Sequence, residues 1–233
     1  CSDKTGTLTQ NHMTVKKLYV GGKMIEAKDA DFSDPMQEPL LRTALLCSDA
    51  TVSGENEIGD PTEIALVRLG ENSGFDENVI RNKWPRIAEI PFDSDRKIMS
   101  TVHKLTGGFM LVTKGAVDVL LKRSILTAEE RKKIEQINEH FSNEGLRVLA
   151  FACRRVDNAA VSPDDEDGLD FLGLIAMMDP PREESKTAVA ECISAGIRPI
   201  MITGDHKITA AAVAWEIGIL HDGTEAVEGA VID

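Results

Sequence analysis

Aromatic side chains are scarce in this sequence, at 4% of 233 residues, and no apolar run approaches membrane-spanning length. The longest, residues 171–178, falls far short of the roughly 18 to 20 residues that a bilayer-crossing helix needs. The N-terminus lacks the charged-then-apolar pattern of a secretory signal. Cysteines are few. Cys1, Cys47, Cys153 and Cys192 stand far apart with no C-x-x-C pair, which suggests neither a zinc site nor a disulfide framework and fits a reducing compartment. Positive charge is in deficit: 26 Lys+Arg against 39 Asp+Glu give a formal net charge of −13. The basic footprint of a nucleic-acid binder is therefore missing, and any anionic ligand has to find a local cationic pocket. Walker A, H-E-x-x-H and G-x-S-x-G strings are absent too.

What remains is the composition of an ordinary globular protein, 42% hydrophobic and 28% charged, long enough for one large or two modest domains. The sequence opens on Cys1 and stops at Asp233, and reads as a segment excised from a longer protein. Gly21-Gly22 predicts a hairpin between strands 15–20 and 23–25. A short helix follows from Pro39 to Leu46. Asp60-Pro61-Thr62-Glu63 then supplies an N-cap acceptor, Pro at N1 and Glu at N3 for a helix ending at Gly70. Residues 86–90, 97–103 and 109–113 alternate as strands of an antiparallel meander. Thr127 and Glu130 form a capping box for a helix closed by Gly145, and a strand over 146–156 follows. The acidic run 164–167 lacks the oxygen spacing of a calcium-binding loop and reads as solvated. From Phe171 the pattern becomes strand, helix, strand, helix (171–178, 182–195, 197–202, 206–217), which argues for parallel α/β structure.

The strongest chemical signal is Asp3-Lys4-Thr5-Gly6-Thr7-Leu8-Thr9. A carboxylate followed by Gly and three hydroxyl residues offers a nucleophile, backbone N–H groups and a metal-facing oxygen on one loop, which phosphoryl transfer to an aspartate requires. Thr203-Gly204-Asp205 follows an apolar strand and opens a helix, a natural anion site. Taken singly, the remaining candidates have plain readings: Phe92 as core, Glu63 as a capping residue, Lys97 and Arg147 as solvated strand charges.

The DKTGTLT string, followed in order by Asp179-Pro180-Pro181-Arg182 and Thr203-Gly204-Asp205, resembles the P-type cation-transporting ATPases, most closely the calcium-transporting subgroup, over essentially the whole chain. The resemblance implies an α/β fold: a partial Rossmann-like, haloacid-dehalogenase-type phosphorylation domain (1–9 and 177–233) carrying a large α+β nucleotide-binding insert (10–176) with an antiparallel sheet. It makes Asp3 the acceptor of the γ-phosphate of ATP, with Mg²⁺ held by Asp3 and the Thr5 backbone. Lys4, Thr5, Thr203, Gly204 and Asp205 complete the catalytic group. The nucleotide pocket it implies comprises Glu63 at the adenine amino group, Phe92 stacking on the base, Lys97, Lys114 and Gly115, Arg147 on phosphate and Leu149 on the ring. Asp179 and Arg182 fall at the hinge, near the nucleotide.

By the same resemblance, the intact protein is a membrane pump in which ATP hydrolysis drives a cation through a transmembrane domain, with an actuator domain as intramolecular partner. This segment would be its soluble cytoplasmic part, binding ATP but catalytically incomplete, because the family's later aspartate and lysine lie outside it. Three positions depart from the family: Ser94 stands where calcium pumps commonly carry Arg, leaving more of the phosphate task to Arg147; Val117-Asp118 replaces Pro-Glu; and His206 replaces Asn. Two other readings remain, a soluble haloacid-dehalogenase-type phosphatase and a non-catalytic nucleotide-binding module. Thr5 counts against the first, because phosphatases of that fold carry an acid there.

Overall fold

In the computed structural model, which describes residues 1–54, 56–204 and 207–227, the chain separates into two units. Unit 1 comprises Cys1–Thr14, Glu139–Arg147 and the chain from Met178; unit 2 comprises Val15–Asn138 and Val148–Met177. Strand β1 (Ser2–Asp3) runs into a tight turn over Lys4–Leu8, where Gly6 adopts φ +73°. Strands β2 (Thr14–Val20) and β3 (Lys23–Glu26) pair antiparallel across Gly21 and Gly22. Both glycines have positive φ, the conformation a two-residue hairpin turn demands. Helix α1 (Glu38–Leu46) carries Pro39 in its first turn. A small hairpin of β4 (Thr51–Ser53) and β5 (Asn56–Ile58) leads to α2 (Pro61–Asn72), capped by Asp60, which accepts the Thr62 N–H at 2.8 Å.

Helix α2 does not stop at Gly70 as its sequence suggests. Gly70 packs inside the helix against Leu45, where a Cβ would come within 2.8 Å of a leucine methyl, so the glycine serves close approach and not termination. Helix α3 (Glu77–Lys83) leads into the meander of β6 (Arg86–Asp93), β7 (Ile98–Leu105) and β8 (Gly108–Gly115). Adjacent strands of the meander are antiparallel. After α4 (Val117–Arg123), helix α5 (Ala128–Asn143) begins with the Thr127/Glu130 capping box; its Glu130 carboxyl is held below the usual range by the Thr127 hydroxyl and N–H. The helix closes as Leu146 and Gly145 donate their N–H groups to Phe141 and Ser142, with Gly145 at φ +78°.

Strands β9 (Arg147–Val156) and β10 (Asp170–Met178) are followed by α6 (Glu183–Ser194), β11 (Met201–Ile202) and α7 (Lys207–Glu216). The strand expected over 197–202 shrinks to β11, because the Ile197 N–H closes α6 onto Cys192 behind Gly196 at φ +75°. Asp205 and His206 lie outside the described residues.

The sheet of unit 2 has seven strands in the order β3-β2-β10-β9-β8-β7-β6, so the chain is a mixed α/β protein built around a meander-containing sheet. Alternation along β7 sorts its two faces. Thr101 reaches the Leu46 carbonyl at the end of α1, placing the Met99-Thr101-His103 face toward the helices. Ser100 points the other way and meets Thr113 of β8 and Glu166. The buried core includes Leu40, Leu41 and Leu45 of α1, Leu66 of α2, Ile98, Leu111 and Phe151. In unit 1, β1 pairs parallel with β11, and Leu8, Val189 and Ile217 form a small core with Met201 and Ile219 against it; the strand over 171–178, expected to open this parallel structure, instead lies between β2 and β9 in the sheet of unit 2. Among the described residues no helix is long and apolar enough to cross a membrane.

Two buried polar groups are notable, and one departs from the sequence reading. The acidic run 164–167 is not solvated throughout: Glu166 is 0% exposed, its backbone held in place as Arg123 donates to its carbonyl and Arg154 to those of Asp165 and Asp167. His103 is also buried, between the Trp84 carbonyl and the Thr101 hydroxyl, each 2.8 Å away. The carbonyl needs a donor, so Nδ1 carries the proton and Nε2 accepts from Thr101. Burial, aided by the charges of Arg86 and Arg81, pushes the His103 pKa down to about 4 from 6.5.

Below pH 6.5 the unfolded chain gains a proton that the folded state refuses until about pH 4, so stability is full above this window and declines through it. The loss attributable to His103 is about 3 kcal/mol. Urea unfolding followed from pH 6.5 to 4 should show this decline, and His103→Gln should flatten that part of the profile; an unchanged slope in the variant contradicts the assignment.

Candidate functional site

The Asp3 loop is built by neighbours distant in sequence. Asp3 ends β1 with its side chain exposed, paired in register with Ile202, so Thr203 and Gly204 emerge beside it from the same ends of two parallel strands. Lys4 and Thr9 are buried; Thr5, Gly6 and Thr7 face solvent. Thr9 accepts the Gly6 N–H at 3.4 Å and donates to the Asp179 carboxylate at 2.5 Å; the other Asp179 oxygen accepts the His12 N–H at 3.1 Å. Arg182 donates Nε to the Thr9 carbonyl (3.0 Å) and a terminal nitrogen to that of Gly6 (3.2 Å), while its backbone N–H meets the Leu8 carbonyl. Asp179 and Arg182, expected near a nucleotide, thus clamp the loop from both sides. One carries the charge that orders its donors, the other the charge that orders its acceptors.

Unit 2 gathers a second group. Lys114, near the end of β8, is 7% exposed and ion-paired with Glu63 of α2. The second Glu63 oxygen accepts the N–H groups of Asp49 (2.7 Å) and Ala50 (3.0 Å). That segment is itself pinned: Arg81 donates to the Ser48 and Ala50 carbonyls and Arg86 to those of Leu46 and Ser48, placing two cations at the C-terminus of α1 where the helix dipole favours them. Gly115 follows Lys114 at φ +155°. Its missing Cβ would lie 2.3 Å from the Lys97 carbonyl, which accepts the Ala116 N–H, so only glycine lets the two strands meet here.

Phe92 is 62% exposed on β6, and Lys97 is exposed at the end of the following turn. Leu149 lies on β9 on the same side as Phe151, the register partner of Lys114. Arg147, exposed at the first position of β9, belongs to unit 1. The fold therefore brings Glu63, Lys114, Gly115 and Lys97 to one corner of the sheet, with Phe92 on the strand beside it. Two surface clefts, of about 200 and 140 Å³, lie elsewhere, beside Phe109 and Arg155 and around Arg154 and Val161.

Two contributors escaped the sequence reading. Glu166 sits in an acidic run whose composition signals solvent. Arg96 neighbours Lys97 and reads as one more surface cation, yet it pairs with the buried Glu166.

A family model described as "P-type ATPase, cytoplasmic domain N" matches residues 37–184. The chain is 43% identical to Calcium-transporting ATPase 1 of Bacillus cereus and 42% identical to Calcium-transporting ATPase 1 of Lactococcus lactis, in both cases over 100% of this chain and 28% of the relative. It is 36% identical to the sodium/potassium-transporting ATPase subunit alpha-B of Artemia franciscana, over 98% of this chain and 27% of that protein. The chain thus spans little more than a quarter of the length of these curated relatives.

The clamp on the Asp3 loop is testable apart from any ligand. Arg182→Ala should cost about 1 kcal/mol, the lower end for charged hydrogen bonds because the side chain is exposed. It should also speed amide exchange over residues 4–10 while leaving β7 and β8 protected. Unchanged exchange in the loop would show that Arg182 does not hold it.

Proposed function

Because this chain belongs to the P-type ATPase family, we propose that it is the ATP-binding and phosphorylation region of a cation pump. Residues 1–9 and 177–233 form the partial, haloacid-dehalogenase-type phosphorylation domain, and residues 10–176 the nucleotide-binding domain. The observation that carries this reading is the position of Asp3: a carboxylate exposed at the C-terminal ends of two parallel strands, where α/β folds bind ligands, on a loop fixed from both sides.

An Asp3 carboxylate oxygen attacks the γ-phosphorus of ATP; a new O–P bond forms as the bond to the β–γ bridging oxygen breaks, and its electron pair leaves with ADP. Thr203, Gly204 and Asp205 flank the transferred group, with Asp205 outside the described residues. Lys4 belongs to the same loop. Thr5 supplies no general acid or base at the position where one would speed hydrolysis, which lets the acyl phosphate persist. Among the described residues no three His, Cys, Asp or Glu converge on a metal site. Mg²⁺ commonly takes one or two protein oxygens and completes its shell with water and phosphate. Asp3 and the Thr5 carbonyl would hold it, and the ion would supply neutralisation of phosphate charge.

In the nucleotide-binding domain the exposed Phe92 offers a face for the purine, and Leu149 a second apolar contact. Glu63 retains acceptor capacity for the adenine amino group beside its ion pair with Lys114. Lys97 and Lys114 supply the local positive charge that a chain of −13 needs to receive a triphosphate. The intact protein would couple this chemistry to its actuator and transmembrane domains in a cell membrane. Calcium is the cargo favoured by the names of the relatives at 42–43% identity.

Phe92→Ala removes an exposed ring and should leave folding intact while weakening ATP at least tenfold by calorimetry, about 1.4 kcal/mol. Wild-type affinity in that variant refutes the pocket. In the intact pump, acid-stable label from γ-labelled ATP should form in the presence of calcium and vanish in Asp3→Asn. Label that persists in Asp3→Asn contradicts the nucleophile, and label that requires sodium instead contradicts the calcium assignment.

A further inference from the structure

Phe92 and Lys97, proposed to meet the purine and the phosphates, stand on either side of the turn between β6 and β7, and that turn needs support from outside itself. Lys97 closes it at φ +59°, a left-handed conformation that a residue with a side chain adopts only when its surroundings impose it. Asp93 supplies part of that constraint: its carboxylate accepts the N–H groups of Asp95 (3.0 Å) and Arg96 (2.8 Å), and its carbonyl accepts that of Lys97 (2.6 Å). These contacts are exposed and local. The remaining constraint comes from seventy residues away. One terminal nitrogen of Arg96 pairs with the Glu166 carboxylate and the other donates to the carbonyl of Pro91, the residue immediately before Phe92.

Glu166 is itself fully committed. Its second oxygen accepts from Ser100 at 2.6 Å, Ser100 is hydrogen-bonded to Thr113 at 2.8 Å, and the Glu166 carbonyl accepts from Arg123 at 3.0 Å. Buried at 0% exposure between two strands and an arginine, this carboxylate has no freedom to move, so the guanidinium it holds has little.

We infer that Glu166 is a positioning residue for the nucleotide-binding turn: its buried carboxylate fixes Arg96, and Arg96 fixes the backbone that carries Phe92 and Lys97. This inference rests on the nucleotide reading proposed above. It also assigns Arg96 a role that the neighbouring residues leave open. With Ser94 in place of a cation, Arg96 would be the obvious substitute to meet phosphate, but both of its terminal nitrogens are engaged inside the protein, and the exposed cation of the turn is Lys97.

The test compares Glu166→Gln, Arg96→Gln and the double variant in the full chain, with Phe92→Ala as reference. ATP affinity is measured by calorimetry and backbone exchange without nucleotide by mass spectrometry. Glu166→Gln should weaken ATP about tenfold and speed exchange over residues 91–98, with α5 as protected as in the wild type. Arg96→Gln should do the same, and the double variant should be no weaker than either single, because both break one chain of contacts. Unchanged ATP affinity in Glu166→Gln beside a weakened Phe92→Ala overturns the inference and leaves the nucleotide reading standing. Effects of the two substitutions that simply add, or exchange that rises equally in α5, overturn it as well, since the role would then be general stability. If Phe92→Ala binds ATP like the wild type, the nucleotide reading fails and the inference falls with it.

Discussion

A lysine ammonium buried in a sheet has to find its counter-charge inside the protein, and the pairing of Lys114 with Glu63 meets that demand at one corner of the sheet of unit 2. Removing either partner would strand a charge away from water, at a cost of about 3–5 kcal/mol. The pair also fixes more than itself. Through the second oxygen of Glu63 it orders residues 49 and 50, and through those residues the arginine-capped end of α1 that packs on the same face.

The opposite face of the sheet repeats the logic with the roles exchanged. There the buried charge is the carboxylate of Glu166, and an arginine on the β6–β7 turn neutralises it. Ser100 and Thr113 face this network while their neighbours Met99 and Lys114 face the other, so one corner of the sheet is braced from both sides by ion pairs of opposite polarity. Gly115, pressed against the Lys97 carbonyl, lets the two networks come together. The proposed nucleotide face lies at this corner, where the exposed Phe92 and Lys97 would meet an apolar ring and a negative charge. The Asp3 loop in unit 1 is organised likewise: Asp179 and Arg182 order one short loop through its donors and its acceptors.

Much of this was legible in the sequence because local chemistry determined it. The Gly21-Gly22 hairpin, the Asp60 cap, the Thr127/Glu130 box and the meander follow from backbone preferences that neighbouring residues cannot easily override. The Asp3 loop stood out for a different reason, seven residues in a fixed order, and the structure shows it as a tight turn after β1. Where the reading fell short, contacts distant in sequence decided the outcome. Gly70 looks like a helix stop until Leu45 is packed against it. Glu166 looks solvated until Arg96, Ser100, Arg123 and Arg154 converge on its segment. Asp179 and Arg182 could be located near the Asp3 loop by their order in the chain, but not their contacts with its donors and acceptors.

The central claim is that a purine nucleotide docks at the corner built on Lys114. The most direct measurement is a crystal structure of this chain with a non-hydrolysable ATP analogue. The account predicts the base stacked on Phe92, its amino group toward Glu63 and the phosphates toward Lys97. A base lodged instead in the cleft beside Phe109 and Arg155, with Phe92 bare, would contradict it.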